Sequence, residues 1–288
     1  MKRILITGAT GNVGFEVIRF LFRNSNGYRI VAGVRNIVEA KRKLKDYENL
    51  EYVAFDFENP ATFEGALENV DSVFLLRPPH ISDVDRYFNP LVEAMVKHQI
   101  GELVFLSVQG VEKSSVIPHH KIEKLIIDSG ISYIFLRPSY FMQNLTTTLL
   151  KDIQNKRKIY LPAGKAKFNW IDIENIGEIV AIVFEVFEKY RNQAVELTGY
   201  ENMNFSEVAK LISVTTGKKI DYQSPNPFRF FSVKMKEGML TGMIVVMILL
   251  HYLPRFQKEP QISDFYNQLT GKSPCSLKEF IEREQNRF

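Results

Sequence analysis

A single cysteine, Cys275, stands among 288 residues. The chain therefore cannot close an internal disulfide or build a cysteine-cluster metal site. That scarcity suits a reducing compartment, and the expected location is cytoplasmic. No apolar run reaches the roughly 20 residues that span a bilayer. The longest, Met239 to Leu253, contains Ile244-Val245-Val246-Met247-Ile248-Leu249-Leu250 and is closed by Pro254. It reads as a helix that is buried or covered by a partner, with a mobile lid or a dimer surface as the other uses. Met1-Lys2-Arg3 has the charge of a signal peptide, but Ile4-Leu5-Ile6 is too short for its apolar part and reads as a first strand. Neither sign of charge dominates: 37 Lys and Arg against 33 Asp and Glu leave +4. This balance suits an anionic cofactor, and without a basic cluster it gives no footing for nucleic acid. His80, His98 and His251 show no ligand spacing with each other or with acids, so no metal site is expected.

Short apolar runs do alternate with amphipathic stretches, the pattern of βαβ units and a parallel sheet. Strands are expected at Arg3–Thr7, Arg29–Val34, Leu50–Phe55, Ser72–Leu76, Leu103–Ser107 and Tyr133–Pro138, with a seventh at Val195–Thr198. They are rich in Val, Ile, Leu and Phe without strict alternation, as strands covered on both faces are. Helical spacing marks Val13–Arg23, Pro90–Lys97 and Pro118–Ser129, the last stopping at Gly130. After Gly199 the texture changes. Ser206–Thr216 reads as a helix ending at Gly217, and Ser276-Leu277-Lys278-Glu279 is a capping-box start for a last helix. The expected fold is α/β: a doubly wound parallel sheet of the Rossmann type over residues 1–198. A smaller, mostly helical C-terminal lobe over 199–288 completes it, and segment 139–170 contributes to the substrate side.

The first strand runs into Gly8-Ala9-Thr10-Gly11-Asn12-Val13-Gly14, and a helix opens there. Gly8 permits the tight turn, Gly11 lets a pyrophosphate approach the backbone, and Gly14 lets the helix pack near the sheet. Amides at the helix start, aided by its dipole, suit phosphate. Thr10 and Asn12 add side-chain hydrogen bonds, and a dinucleotide is the implied ligand. At the tip of the second strand an acid would accept from a ribose 2′-hydroxyl and repel a 2′-phosphate. Here the tip is Val34-Arg35-Asn36. Arg35 can hold a phosphate in bidentate fashion, which points to NADP(H), with NAD(H) the other possibility. Leu76-Arg77 follows the fourth strand, at the carboxyl end of the sheet where ligands bind in such folds. Arg77 there is either a ligand contact or an ordinary loop cation.

The spacing G-x-x-G-x-x-G resembles that of the short-chain dehydrogenase/reductase superfamily, in its extended and atypical members. The NmrA-like branch is the match. Thr7-Gly8-Ala9-Thr10-Gly11-Asn12-Val13-Gly14 resembles that family's opening, and Gly130-Ile131-Ser132-Tyr133 through Arg137-Pro138-Ser139-Tyr140-Phe141-Met142-Gln143-Asn144 its central signature. Asn169-Trp170-Ile171-Asp172 and Leu269-Thr270-Gly271-Lys272 match later segments more loosely. The resemblance implies that Asp56 and Phe57 contact adenine, although Asp56 can equally cap the next segment. It also implies that Pro138 and Tyr140 lie near the nicotinamide. Phe141, Met142 and Trp170, with residues of Phe228–Phe231, are either a pocket lining or plain core.

Active members of the superfamily combine a Ser or Thr after the fifth strand with Tyr-x-x-x-Lys on the next helix. Ser107 takes the serine place. With Glu123 and Gly130 in their family positions, the lysine place falls on His119 and the tyrosine place on Ser115. The Tyr-x-x-x-Lys dyad is absent. Two readings follow. One is an NADPH-dependent reductase of a small quinone-like or carbonyl compound, with His119 and Ser107 as catalytic candidates. The other is a non-catalytic NADP(H) sensor that binds a partner protein. A nucleoside-diphosphate-sugar epimerase is a third, weakened by the missing tyrosine. His119 shares a helical face with Ile122 and Ile126 and so points inward, as a hydrogen-bond donor to a substrate carbonyl or as a structural histidine capping that helix. The partial positive charge of the first helical turn favours its neutral ring.

Overall fold

The computed structural model describes residues 1–24 and 27–288. Twelve strands run in chain order among them. These are β1 (Lys2–Ile6), β2 (Tyr28–Val34), β3 (Glu51–Ala54), β4 (Ser72–Leu76), β5 (Glu102–Leu106) and β6 (Tyr133–Pro138), then β7 (Tyr140–Phe141), β8 (Lys158–Tyr160), β9 (Lys167–Ile171), β10 (Gln193–Leu197), β11 (Asn202–Asn204) and β12 (Asp221–Gln223). Seven of them form one sheet in the order β10-β6-β5-β4-β1-β2-β3. Every pairing in it is parallel. The apolar strands fit that arrangement because parallel sheets are covered on both faces. Chain order reverses between β1 and β4, which opens a crevice at the carboxyl ends of those two strands.

The chain divides into two compact units. The first takes Met1–Pro138, Ile173–Leu197 and Phe265–Lys272, and contains the large sheet. One face of its core packs Leu5, Val31, Phe55, Phe57 and Phe88 with Phe105, Ile122 and Ile126. Helices Asn12–Asn24 and Ile173–Glu185 pack together, and Gly177 allows it: a Cβ there would lie 2.7 Å from the Glu16 backbone carbon. Arg19 joins the pair by bonding Glu16 at 2.6 Å and Glu174 at 2.7 Å.

The second unit takes Ser139–Asp172, Thr198–Asp264 and Ser273–Phe288. A three-stranded sheet, β11-β9-β7, and the pair β12-β8 lie in it. Its core gathers Met142, Leu145, Trp170, Phe205, Ile212, Phe230 and Phe280. Asn169 ties the segments together. Its Oδ1 accepts from Ser139 Oγ at 2.7 Å and from the Gly199 amide at 2.8 Å, while Nδ2 donates to the Gly199 carbonyl. Gly199 is needed for that approach, since a Cβ would stand 1.8 Å from the Trp170 carbonyl oxygen. Buried Lys234 pairs with Asp152 and, at 2.9 Å, with Glu237.

The doubly wound parallel sheet is as expected, and so are the helices Asn12–Asn24, Asn89–Lys97, Pro118–Ser129 and Phe205–Thr216, to within a residue or so at their ends. Ser276 caps Leu277–Arg283 with the foreseen capping box. The expected boundary at 198/199 differs from the units. Segment 139–172 belongs wholly with the C-terminal residues, because β7 pairs there with β9 and β9 with β11. Conversely, Phe265–Lys272 returns to the first unit, where the Tyr266 hydroxyl meets Asn175 at 2.9 Å and donates to Glu178. The second unit also holds five short strands beside its helices. Trp170 and Met142 are fully buried core, whereas Phe228 is 88% exposed. The run 239–253 forms the helix Thr241–Tyr252, but only Ile244, Met247 and His251 of it are buried.

Candidate functional site

Gly8 sits at φ 61°, in the left-handed region that favours glycine, and a Cβ on it would lie 2.7 Å from Leu76 Cδ2. Gly11 donates its amide to the Gly8 carbonyl at 2.9 Å, closing the turn. Gly14 is tighter still: a Cβ would come within 2.3 Å of the Gly8 carbonyl oxygen. The turn therefore presses the start of the helix Asn12–Asn24 against the end of β1. Val13 is buried in that contact, Thr10 is half-buried, and Gly11 and Asn12 are exposed at its mouth. The exposed first turn of a 13-residue helix offers amides and a positive dipole end to an anion. Thr7, marked in the chain only by its place in the motif, ties the two strands that flank the crevice. Its buried hydroxyl donates to the Phe74 carbonyl at 3.0 Å and accepts from the Leu76 amide at 2.9 Å, linking β1 to β4.

Arg35 is exposed directly after β2, and Asn36 beside it caps the helix Ile37–Lys43 by accepting from the Glu39 amide. Lys43 was not foreseen. Its amine donates to the Thr10 carbonyl at 2.8 Å, so a second cation stands at the glycine turn. Asp56 accepts from the Glu58 amide at 3.1 Å, which is the capping alternative, and is half-buried. The Phe57 ring lies in the core against Phe55 and Phe88.

Leu76 ends β4, and Arg77 after it is anchored to the chain. It donates to the carbonyls of Pro78 at 3.1 Å, Pro79 at 3.3 Å and Ile81. Burial lowers its pKa. Its Nε donates to His119 Nε2 at 3.3 Å, the contact that most constrains the site. A guanidinium has no lone pair to share, so Nε2 is the acceptor and the ring proton sits on Nδ1. Burial, and then the charge of Arg77, pull the His119 pKa down to about 3. The ring is thus neutral with a single donor, Nδ1–H. The helix Pro118–Ser129 that carries it is fastened to β6 by Glu123, whose carboxylate takes Arg137 in bidentate fashion at 3.1 and 2.7 Å.

Ser107 follows β5 and is 2% exposed. Its Oγ is buried with no hydrogen-bond partner among the described residues. A buried hydroxyl left unpaired costs about 1–3 kcal/mol, so such groups mark places where a ligand completes the bonding. By strand alternation Ser107 shares its face with Phe105, whose ring lies 6.0 Å from that of His119. Pro138 ends β6, and its carbonyl accepts from the Gln109 amide at 2.9 Å. Ser115, in the family's tyrosine place, is exposed and has no phenol to offer.

Tyr140 belongs to the second unit. Its ring packs against Phe168, Trp170 and Phe205, and its hydroxyl lies 3.0 Å from His251 Nε2. His251 Nδ1 is 2.6 Å from the Met247 carbonyl and must donate to it, so Nε2 accepts from the phenol. Burial lowers the His251 pKa to about 4 and raises that of Tyr140. His251 carried no signal in the sequence because its partner lies 111 positions away.

These residues fit a dinucleotide. The open helix start suits its pyrophosphate, the cations Arg35 and Lys43 suit a further phosphate, and the unpaired Ser107 hydroxyl calls for a polar group at the carboxyl end of β5. Known proteins are consistent with this geometry. The NmrA-like family model matches residues 1–257. Prestalk A differentiation protein A of Dictyostelium discoideum is 29% identical over 279 residues, covering 97% of this chain and 91% of that protein. The NAD(P)H azoreductase of Xenophilus azovorans is 25% identical and covers 99% of each chain. Among solved structures, the Citrobacter sp. triphenylmethane reductase complexed with NADP(H) superposes with TM-score 0.86 at 22% identity, over 97% of this chain and 99% of that one. The quinone oxidoreductase of Escherichia coli complexed with NADPH gives 0.85 at 21%, over 97% and 99%.

Proposed function

The chain belongs to the NmrA-like family of NAD(P)-binding Rossmann-type proteins, and from that premise we propose that it is an NADPH-dependent oxidoreductase that reduces a small quinone-like or carbonyl compound. One observation carries the reading: a neutral His119 with its proton fixed on Nδ1 and a buried, unpaired Ser107 hydroxyl share one end of the sheet with the glycine turn. Relatives named as an azoreductase and a quinone oxidoreductase support the class of reaction. Arg35, with Lys43 behind the turn, favours NADPH over NADH. The single cysteine fits a cytoplasmic setting.

The reduced nicotinamide supplies a hydride when bound. The protein's part is to orient and to polarise. First-turn amides of Asn12–Asn24 would hold the phosphates, and Gly8, Gly11 and Gly14 keep side chains out of their way. Ser107 Oγ–H and His119 Nδ1–H donate to the substrate oxygen as negative charge develops on it. Arg77 fixes the tautomer that makes this donation possible. With a pKa near 3, imidazolium is not an available acid, so His119 polarises and water supplies the proton. That suits a quinone, whose reduced form is a stable phenolate, better than an alcohol-forming ketone reduction. Tyr-x-x-x-Lys is accordingly not required.

A second reading, an NADP(H) sensor that binds a partner protein, is favoured by the developmental name of the 29% identical relative. NADPH oxidation assayed over quinones, azo and triphenylmethane dyes and simple carbonyls separates the two. Turnover on at least one quinone, reduced about tenfold or more in His119→Ala and in Ser107→Ala, is expected from the loss of one donor. NADPH binding with no turnover on any member of the panel refutes the enzyme and leaves the sensor.

A further inference from the structure

The helix Thr241–Tyr252 turns Ile244, Met247 and His251 into the second unit and leaves its other apolar side chains outside. Met243, Val245, Val246, Leu249, Leu250 and Leu253 are 42–57% exposed. Positions 243, 246, 250 and 253 form one row on a helix surface and 245 and 249 the next, so the exposure is continuous. From ordinary side-chain areas it amounts to roughly 500 Å², the upper end of what a monomer leaves bare. Leu240 at 81% and Phe256 at 73% extend it at either end. Met235, on the packed neighbouring helix Pro227–Lys236, joins it through a 3.5 Å contact of its sulfur with Thr241.

Charge frames this stripe. Residues 238–254 contain no Asp, Glu, Lys or Arg. Arg229 and Lys236 precede them, Arg255 and Lys258 follow, and all four are exposed. None of the four has an ion-pair partner among the described residues. The acids of the same stretch are already engaged: Glu237 pairs with Lys156 and Lys234, and Glu259 with Lys167 at 3.0 Å. No described helix is long and apolar enough to cross a membrane. An apolar helix face whose segment is flanked along the chain by exposed cations with no ion-pair partner among the described residues is instead the makeup of a segment that lies in a bilayer interface.

We propose that this face docks peripherally on an anionic lipid bilayer, with the stripe at the acyl boundary and the four cations among the headgroups. A second copy of the chain is the rival occupant, and charge opposes it. A two-fold contact across the stripe sets Arg229, Lys236, Arg255 and Lys258 against themselves.

Flotation of the full-length protein with vesicles tests the assignment, comparing phosphatidylcholine alone with phosphatidylcholine plus phosphatidylserine, at low and high salt. The protein is expected to float with the anionic vesicles only, and less at high salt. Val246→Glu/Leu250→Glu, at exposed positions, removes flotation while circular dichroism and the melting temperature stay as in the wild type. Lys236→Glu/Lys258→Glu touches no buried contact and lowers the partition coefficient roughly tenfold or more. Absence of flotation at low salt overturns the proposal. So does flotation unchanged in the Glu pair at 246 and 250. Light scattering that shows a dimer, made monomeric by that pair, with no vesicle binding, assigns the face to a second copy.

Discussion

At the scale of single residues, the site depends on which groups carry charge. Arg35 is exposed and has no ion-pair partner among the described residues, so its side chain is available for a phosphate. Hydrogen bonds to charged groups contribute about 1.5–3 kcal/mol, so Arg35→Ala should weaken NADPH binding by about tenfold or more. NADH affinity should change little. Fluorescence titration of both cofactors checks this, and equal affinities unaltered by the substitution would remove NADPH selectivity from the reading. His251 makes a different prediction. Burial lowers its imidazole pKa from the ordinary 6.5 to about 4 in the fold. Between those values the unfolded chain binds more protons, so stability is complete above the unfolded pKa and declines as the pH falls towards 4. The difference corresponds to about 3 kcal/mol. Urea midpoints measured at about pH 7 and pH 5 should fall for the wild type and fall less for His251→Phe. Equal declines in the two proteins would show that His251 is not the group responsible.

At the scale of elements, the strand-turn-helix at the N-terminus was legible because each requirement is local. A strand must end, a turn must admit left-handed backbone at Gly8, and a helix must start at Asn12. Gly14 shows how little slack remains. A methyl there meets the Gly8 carbonyl oxygen at 2.3 Å, backbone against backbone, so neither side yields cheaply. Gly14→Ala is expected to cost about 1–3 kcal/mol of stability and to abolish tight NADPH binding by tilting the helix off the turn. Thermal denaturation with and without NADPH measures both, and an unshifted melting temperature would contradict the packing. Less legible was the apolar helix Thr241–Tyr252. It is apolar on every side, so periodicity could not say which face is buried; the neighbours onto which it folds decide that.

At the scale of the whole molecule, chain order and spatial order part company. The first unit recovers Phe265–Lys272 after more than sixty residues spent in the second, and the second begins at Ser139, before the last strand of the large sheet. A chain ending at residue 198 would therefore lose Tyr266 from Asn175 and Glu178. It would also leave Trp170 and Phe168 without Phe205, Phe280 and the rest of their core. Such a truncation is expected to be unfolded or aggregated rather than a working dinucleotide-binding domain. Limited proteolysis and circular dichroism test it, and a folded, NADPH-binding fragment would refute it.

Local signals in the amino-acid order determined the parallel sheet, the glycine turn, the arginine at the second strand's tip and the absence of a tyrosine-lysine dyad. Each depends on residues adjacent in the chain or one helical turn apart. Tertiary structure alone decided that Arg77 fixes the His119 tautomer, that Ser107 is buried without a partner, and that Tyr140 bonds His251. Those contacts join residues 42 and 111 positions apart, or depend on what fails to come near, and a linear pattern records neither.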